Sequence, residues 1–231
     1  NPIQVQELAD TLRHSAIVPK GVFIKNPVNE DVGLWQGDIE RLQQAGMHVM
    51  AIHRGCNHRP CWAMSFELRR RMPQLVMLLD PSHMSGDASM VPTLCQQAMD
   101  LNYDGLMVES HLHPLDALSD AHQQITPAQL ADIITHLEMR HPSTPDTELL
   151  ALRQQIDETD DELWQLIAHR MTISKAIGQY KKEHQLPILQ TDRYDAILRK
   201  RIDWAQSKGL SEELVRAVFE IIHKESVEAQ L

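Results

Sequence analysis

Four short apolar runs punctuate the first 110 positions: GVFIK at 21–25, HVMAIH at 48–53, LVMLLD at 75–80 and GLMVE at 105–109, each bounded by turn or polar residues. Continuous runs of this length predict parallel strands buried on both faces. Between them, apolar spacing predicts helices over 5–13, 32–45, 65–71 and 89–101, and Thr126-Pro127 opens another to about Met139, with proline at its first position. Strands alternating with helices imply a parallel sheet with right-handed crossovers. The period then changes. Leu149, Leu152, Ile156, Leu163, Leu166, Ile167, Met171, Ile173 and Ile177 recur at spacings of three, four or their sums, which predicts one helix from Asp146-Thr147 to about His184. At about 37 residues it would be roughly 55 Å long. Thr191-Asp192 opens a second helix to about Ser207, and Gly209-Leu210-Ser211-Glu212-Glu213 ends that one and caps a third reaching Leu231. A long helix flanked by two short ones cannot bury its own apolar stripe, so an intertwined dimer is expected.

Composition places the boundary. Residues 1–142 hold 10 of the 13 His, 7 of the 9 Gly and 10 of the 12 Pro, whereas the rest of the chain has 2 Gly and 2 Pro. His141-Pro142-Ser143-Thr144-Pro145-Asp146-Thr147 carries two prolines followed by a capping residue. We therefore expect an α/β domain over 1–142, a linker over 143–147 and an all-helical domain over 148–231. The net charge of −10 disfavours nucleic acid as a partner. No apolar run is long enough to cross a bilayer, so no membrane association is expected. Three cysteines without a CxxC pair, Cys56, Cys61 and Cys95, argue for a reducing compartment. The first residues carry no secretory pattern, which makes the cytoplasm the expected location.

Chargeable residues follow each strand: Lys25-Asn26-Pro27, His53-Arg54-Gly55, Asp80-Pro81-Ser82-His83 and Glu109-Ser110-His111. The carboxyl ends of strands form the active face of a (β/α)8 barrel, and four units amount to half of one. In order, KNPVN, AIHRG, DPSH, GLMVESH and ALSDAHQQITP resemble the C-terminal half of a type I 3-deoxy-D-arabino-heptulosonate 7-phosphate (DAHP) synthase, over roughly residues 1–140. The resemblance implies half of a TIM-type barrel, a divalent metal (Mn, Fe, Co or Zn) held by His83, Glu109 and Asp120, and phosphoenolpyruvate held by Lys25 and Arg54. The family's metal Cys sits in a GPC motif and its erythrose 4-phosphate site in a KPRTS segment. Neither string occurs here, so DAHP synthesis is expected to need a further N-terminal half. The family also has a longer loop before the equivalent of Arg59-Pro60-Cys61-Trp62. As residues alone, an imidazole and two carboxylates suit such an ion. Equally, a His after a strand can be a hydrogen-bonded structural group, Asp120 a turn cap, and Lys25 and Arg54 members of strand-end ion pairs. Cys95, inside a helix, reads as a small buried filler.

Helical arithmetic bears on the basic residues downstream. Arg170 and Lys181 fall within about 20° of one face and about 16 Å of each other along the axis, close enough to share a ligand. Arg153 lies about 25 Å from Arg170 and some 100° around the helix, so it should serve a partner's site, unless these are simply solvated helix charges. LLALRQQID, HRMTISKAIGQYKKEHQLPI, the next DR and HKESVEAQ resemble the all-helical AroQ class of chorismate mutase over 147–231. The resemblance implies a three-helix domain that dimerises, with Arg153, Arg170 and Lys181 on the substrate's carboxylates and ether oxygen. It also implies Arg193 in the same anion site, Ser226 and Gln230 closing it, and no cofactor. Two positions depart: Gln190 replaces an Asp, and Tyr194 replaces a Glu that accepts the ring hydroxyl.

Together these imply a bifunctional shikimate-pathway enzyme with phosphoenolpyruvate, erythrose 4-phosphate and chorismate as substrates. A homodimer or higher oligomer, with prephenate as a feedback effector by analogy with family fusions, completes the expectation. The alternatives are a monofunctional mutase with an inert half-barrel, a prephenate-binding regulatory module, and a barrel condensing phosphoenolpyruvate with another sugar.

Overall fold

Each apolar run forms a strand shorter than its pattern. β1 (Val22–Lys25), β2 (Val49–His53), β3 (Met77–Leu79) and β4 (Gly105–Leu106) make one parallel sheet in the order β1-β2-β3-β4. The structure is a computed structural model and describes residues 2–15, 19, 21–140, 147–188 and 191–231, the side chains of 191–193 excepted. Most of the expected linker therefore lies outside the described residues. The chain divides into two compact units, Asn1–Pro142 and Ser143–Leu231. Among the described residues no helix is long and apolar enough to cross a membrane.

In the first unit, α1 (Pro2–Arg13), α2 (Val32–Gln44), α3 (Trp62–Arg71), α4 (Pro81–Ser85), α5 (Val91–Asp100) and α6 (Pro127–His136) accompany the sheet. Five match expected helices. α3 starts before the expected Ser65, α5 begins after a 3-10 turn at Ala88–Met90, and α6 stops short of Met139. α4 was not expected: five residues are too few for an apolar period, and its signal is the cap, where the Asp80 carboxylate accepts the His83 N–H.

The expectation of strands buried on both faces is corrected. Parallel register aligns Ile24 with Ala51 and Ala51 with Met77, and this face packs beneath Trp35, Ile39 and Leu42 of α2, Leu68 of α3 and Leu94 and Ala98 of α5. The alternate face carries Phe23, Lys25, Met50, Ile52 and Leu78. Phe23 is 55% exposed there although Ile52 on the same face is buried, so this face is the more open one at β1.

His53 ends β2 fully buried among Trp35, Trp62 and Tyr103, with Nδ1 2.8 Å from the Tyr103 hydroxyl and Nε2 unpaired. Burial pulls its pKa down to about 4. The folded imidazole thus stays neutral while the unfolded one takes up a proton below about pH 6.5. Its contribution is complete above that pH and is lost between roughly 6.5 and 4, a loss of about 3 kcal/mol at the lower end. Thermal melts of the first unit from pH 7 to pH 4.5 should show this decline, with a shallower slope for His53→Gln.

In the second unit, α7 (Thr147–Glu183), α8 (Thr191–Gln206) and α9 (Glu212–Glu228) follow the expected pattern closely. α9 packs on both other helices. Within α7 only Ser174 and Gly178 are buried.

Candidate active sites

The first cluster forms where the strands end. Lys25 closes β1 on the open face, and its Nζ donates to Asp80 Oδ2 at 3.0 Å, so the strand-end ion pair open from sequence is present. Asp80 is fully buried, and the same Oδ2 lies 2.8 Å from His83 Nδ1, off the direction that a hydrogen bond requires. The other ring nitrogen, Nε2, faces Glu109 Oε1 at 3.5 Å. Glu109 is fixed through its N–H, which donates to Ser82 Oγ at 3.0 Å, and by Gln123, whose Nε2 donates to Oε2 at 2.8 Å. Asp120 precedes a 3-10 turn at Ala121–Gln123 with φ +55, and its carboxylate makes no capping bond there. One ligand atom each from His83, Glu109 and Asp120 lies within 4.8 Å of the others.

Asn26, which the sequence reading passed over, shapes the Arg54 loop. It is buried, its Oδ1 accepts the Arg54 N–H at 2.7 Å, and its Nδ2 donates to the Gly55 and Pro27 carbonyls at 3.0 and 2.7 Å. Gly55 has φ +71, and a Cβ there would meet the Arg59 carbonyl oxygen at 2.3 Å, so the turn requires glycine. All three cysteines are free, and burial foremost raises each thiol, Cys61 to about 12 and Cys95 to about 11. None presents a thiolate at neutral pH. A wider cleft of about 480 Å³ lies at the amino ends of β2 and β3, away from this cluster.

The second cluster lies in the helical unit. Arg170 Nη1 donates to Ser226 Oγ and, at 3.3 Å, to the Ile222 carbonyl. Lys181 Nζ donates to Gln230 Oε1 at 3.1 Å and to the Ile188 carbonyl at 2.6 Å. These four expected residues line one cavity of about 270 Å³ together with Tyr194 and His223. Burial, reinforced by the neighbouring Arg201, lowers the pKa of Arg170. The close approach of α9 depends on Gly178, where a Cβ would meet Gln230 Cα at 2.7 Å. Arg153 is exposed on α7 and is not among the cavity-lining residues. The Arg193 side chain and Gln190 lie outside the described residues.

His223 and Gly178 were missed from sequence, although a signal existed for both. Spacings of three and four place His223 on the face of Ser226 and Gln230, and Gly178 on the face of Ser174 and Lys181.

These geometries meet the comparisons with known proteins. Residues 10–141 match the DAHP synthetase I family and residues 152–231 match chorismate mutase type II. The chain belongs to the DAHP synthetase I family, and a chorismate mutase type II region follows in the same chain. Over 75 residues it is 37% identical to a T-protein of Haemophilus influenzae, covering 32% of this chain and 20% of that protein. Over 85 residues it is 28% identical to a 4-amino-4-deoxychorismate mutase of Streptomyces pristinaespiralis, covering 37% and 66%. The first unit shares the fold of a phospho-2-dehydro-3-deoxyheptonate aldolase (DAHP synthase) crystal structure from Thermotoga maritima, at TM-score 0.50 and 20% identity over 58% of this chain and 42% of that one. The chain spans about a fifth of the length of the T-proteins that it matches.

Proposed function

We propose that the helical unit rearranges chorismate to prephenate and that the α/β unit contributes the metal and phosphoenolpyruvate half of a DAHP synthase. The observation that carries the first assignment is the convergence of Arg170, Lys181, Ser226 and Gln230 on one cavity. In the rearrangement the ether C–O bond lengthens, a C–C bond forms, and negative charge grows on the ether oxygen. Lys181 and Gln230 stabilise that charge, and fixed donors in an enclosed pocket do so without reorganising. Arg170 holds a carboxylate by its fork, Ser226 fixes that fork, and Arg193 adds a further cation. Held in its folded conformer, the substrate is poised to react, and neither a nucleophile nor a cofactor is required.

Arg153 would enter from a second subunit. α7 exposes Leu152, Ile156, Leu163 and Leu166 by 51, 61, 50 and 67%, a stripe that a second α7 would cover.

In the α/β unit, His83, Glu109 and Asp120 would hold a divalent ion of the Mn, Fe, Co or Zn kind, with a fourth donor from outside these residues. The donor set fits, with His83 Nε2 turned to Glu109 and Nδ1 on the other edge of the ring beside the buried Asp80 carboxylate. A bound ion supplies Lewis-acid polarisation of a carbonyl oxygen. Lys25 and Arg54 would bind the phosphate and carboxylate of phosphoenolpyruvate, with erythrose 4-phosphate as the second substrate. A cytoplasmic location and restraint of this unit by prephenate belong to the same proposal.

Incubation of the 231-residue protein with chorismate is expected to yield prephenate, and incubation with phosphoenolpyruvate, erythrose 4-phosphate and Mn²⁺ to yield no DAHP until a complementary half-barrel is added. Inertness toward chorismate overturns the first assignment. DAHP made by this chain alone overturns the account of the α/β unit.

A further inference from the structure

We propose that His223, together with Tyr194, determines which ring substituent the cavity of the helical unit accepts, favouring an uncharged hydroxyl over an ammonium group. The inference rests on the mutase reading above and extends it to a residue outside the family pattern described there.

The placement of His223 is specific. It stands three residues before Ser226 and seven before Gln230, on the cavity face of α9, and it lines the cavity. Its ring lies 4.6 Å from that of Tyr194 on α8 and 6.0 Å from that of Phe219 on its own helix, nearly parallel to the latter at 18°. Two aromatic neighbours thus fix an imidazole whose edge remains open to the cavity. Among the described residues no hydrogen bond or ion pair engages it, and the charged group facing it from α7 is a cation, Arg170.

Burial, then the Arg170 charge, lowers the pKa of His223, which leaves a neutral ring with one donor and one acceptor at pH 7. The Tyr194 phenol adds another group of the same kind. The cavity is therefore divided: Arg170 and Lys181 supply positive charge for carboxylates, and Tyr194 and His223 supply an uncharged polar patch. A hydroxyl both donates and accepts, so it pairs fully with this patch. An ammonium would enter beside Arg170 without a counter-ion, and such desolvation is costly. A carboxylate at position 194 would compensate that charge, whereas the Tyr194 phenol cannot.

The test is kcat/KM of the full chain for chorismate and for its 4-amino-4-deoxy analogue. The wild type should prefer chorismate by at least about 30-fold, because discrimination is strong where a buried site leaves a polar group unpaired. His223→Leu should lose about 10-fold for chorismate, mainly through KM, while His223→Gln, which keeps a neutral donor and acceptor, stays within about 3-fold. Tyr194→Glu should narrow the preference at least about 10-fold. Equal rates for both substrates in the wild type overturn the proposal. So do an unchanged His223→Leu enzyme, and equal losses in the Leu and Gln variants, which would mark a packing role. A wild type inert toward chorismate defeats the mutase reading instead. Calorimetric titration with prephenate then decides this inference: binding by the wild type that His223→Leu weakens supports it, and equal binding or none overturns it.

Discussion

Replacing Lys181 with alanine is expected to lower kcat/KM for chorismate by at least about 10²-fold, the usual cost of removing a donor aimed at developing charge. The loss should appear mainly in kcat, because Lys181 engages the ether oxygen most strongly as the bond lengthens. Its Nζ now donates to Gln230 and to the Ile188 carbonyl, so truncation also releases two acceptors at the cavity wall. Circular dichroism of the variant should match the wild type, since the fold of α7 does not depend on this side chain. A loss below threefold would remove Lys181 from the mechanism.

Mixing two inactive variants, Arg153→Ala and Lys181→Ala, is expected to regenerate activity. On an ideal helix Arg153 lies about 25 Å from Arg170, so the anion held by one subunit needs the arginine of another. In a mixed dimer one site collects both lesions and the other retains wild-type Arg153 and Lys181. Random exchange makes roughly half the dimers mixed, so recovery should approach about a quarter of wild-type sites. Native mass spectrometry of a tagged pair establishes exchange. If exchange is complete and activity stays at the level of the separate variants, the shared site is wrong and Arg153 is a surface charge.

Periodicity made the helical unit legible almost to its ends. Sustained spacings of three and four leave little choice, and the caps at Ser211 and around Gly209 mark the breaks. The α/β unit was legible in its order and less so in its extents. A continuous apolar run shows that a segment is buried, not where its ladder stops, so GLMVE yields a two-residue β4. The motifs carried His83, Glu109 and Asp120, residues distant in sequence whose ligand atoms lie within 4.8 Å. What stayed hidden was support. Asn26 and Asp80 act through loop and cap geometry that no period encodes, and Gly178 matters only because the end of α9 crosses it. A helix face drawn through Ser226 and Gln230 would have brought in His223, whose environment still had to be seen to assign it a neutral ring.

The bond between Lys181 and Gln230 means that the two side chains order each other. The ammonium has three N–H donors, of which the Gln230 amide oxygen and the Ile188 carbonyl take two, and the Gln230 Nε2 gives one of its two to the Ser226 carbonyl. Each group therefore keeps one N–H for a further oxygen, and neither has to turn or break an existing bond to offer it. A ligand oxygen placed between Nζ and Nε2 would accept from both at once. The mutual bond holds both donors in place, so the ordering of two long side chains is met by the fold and not by the ligand.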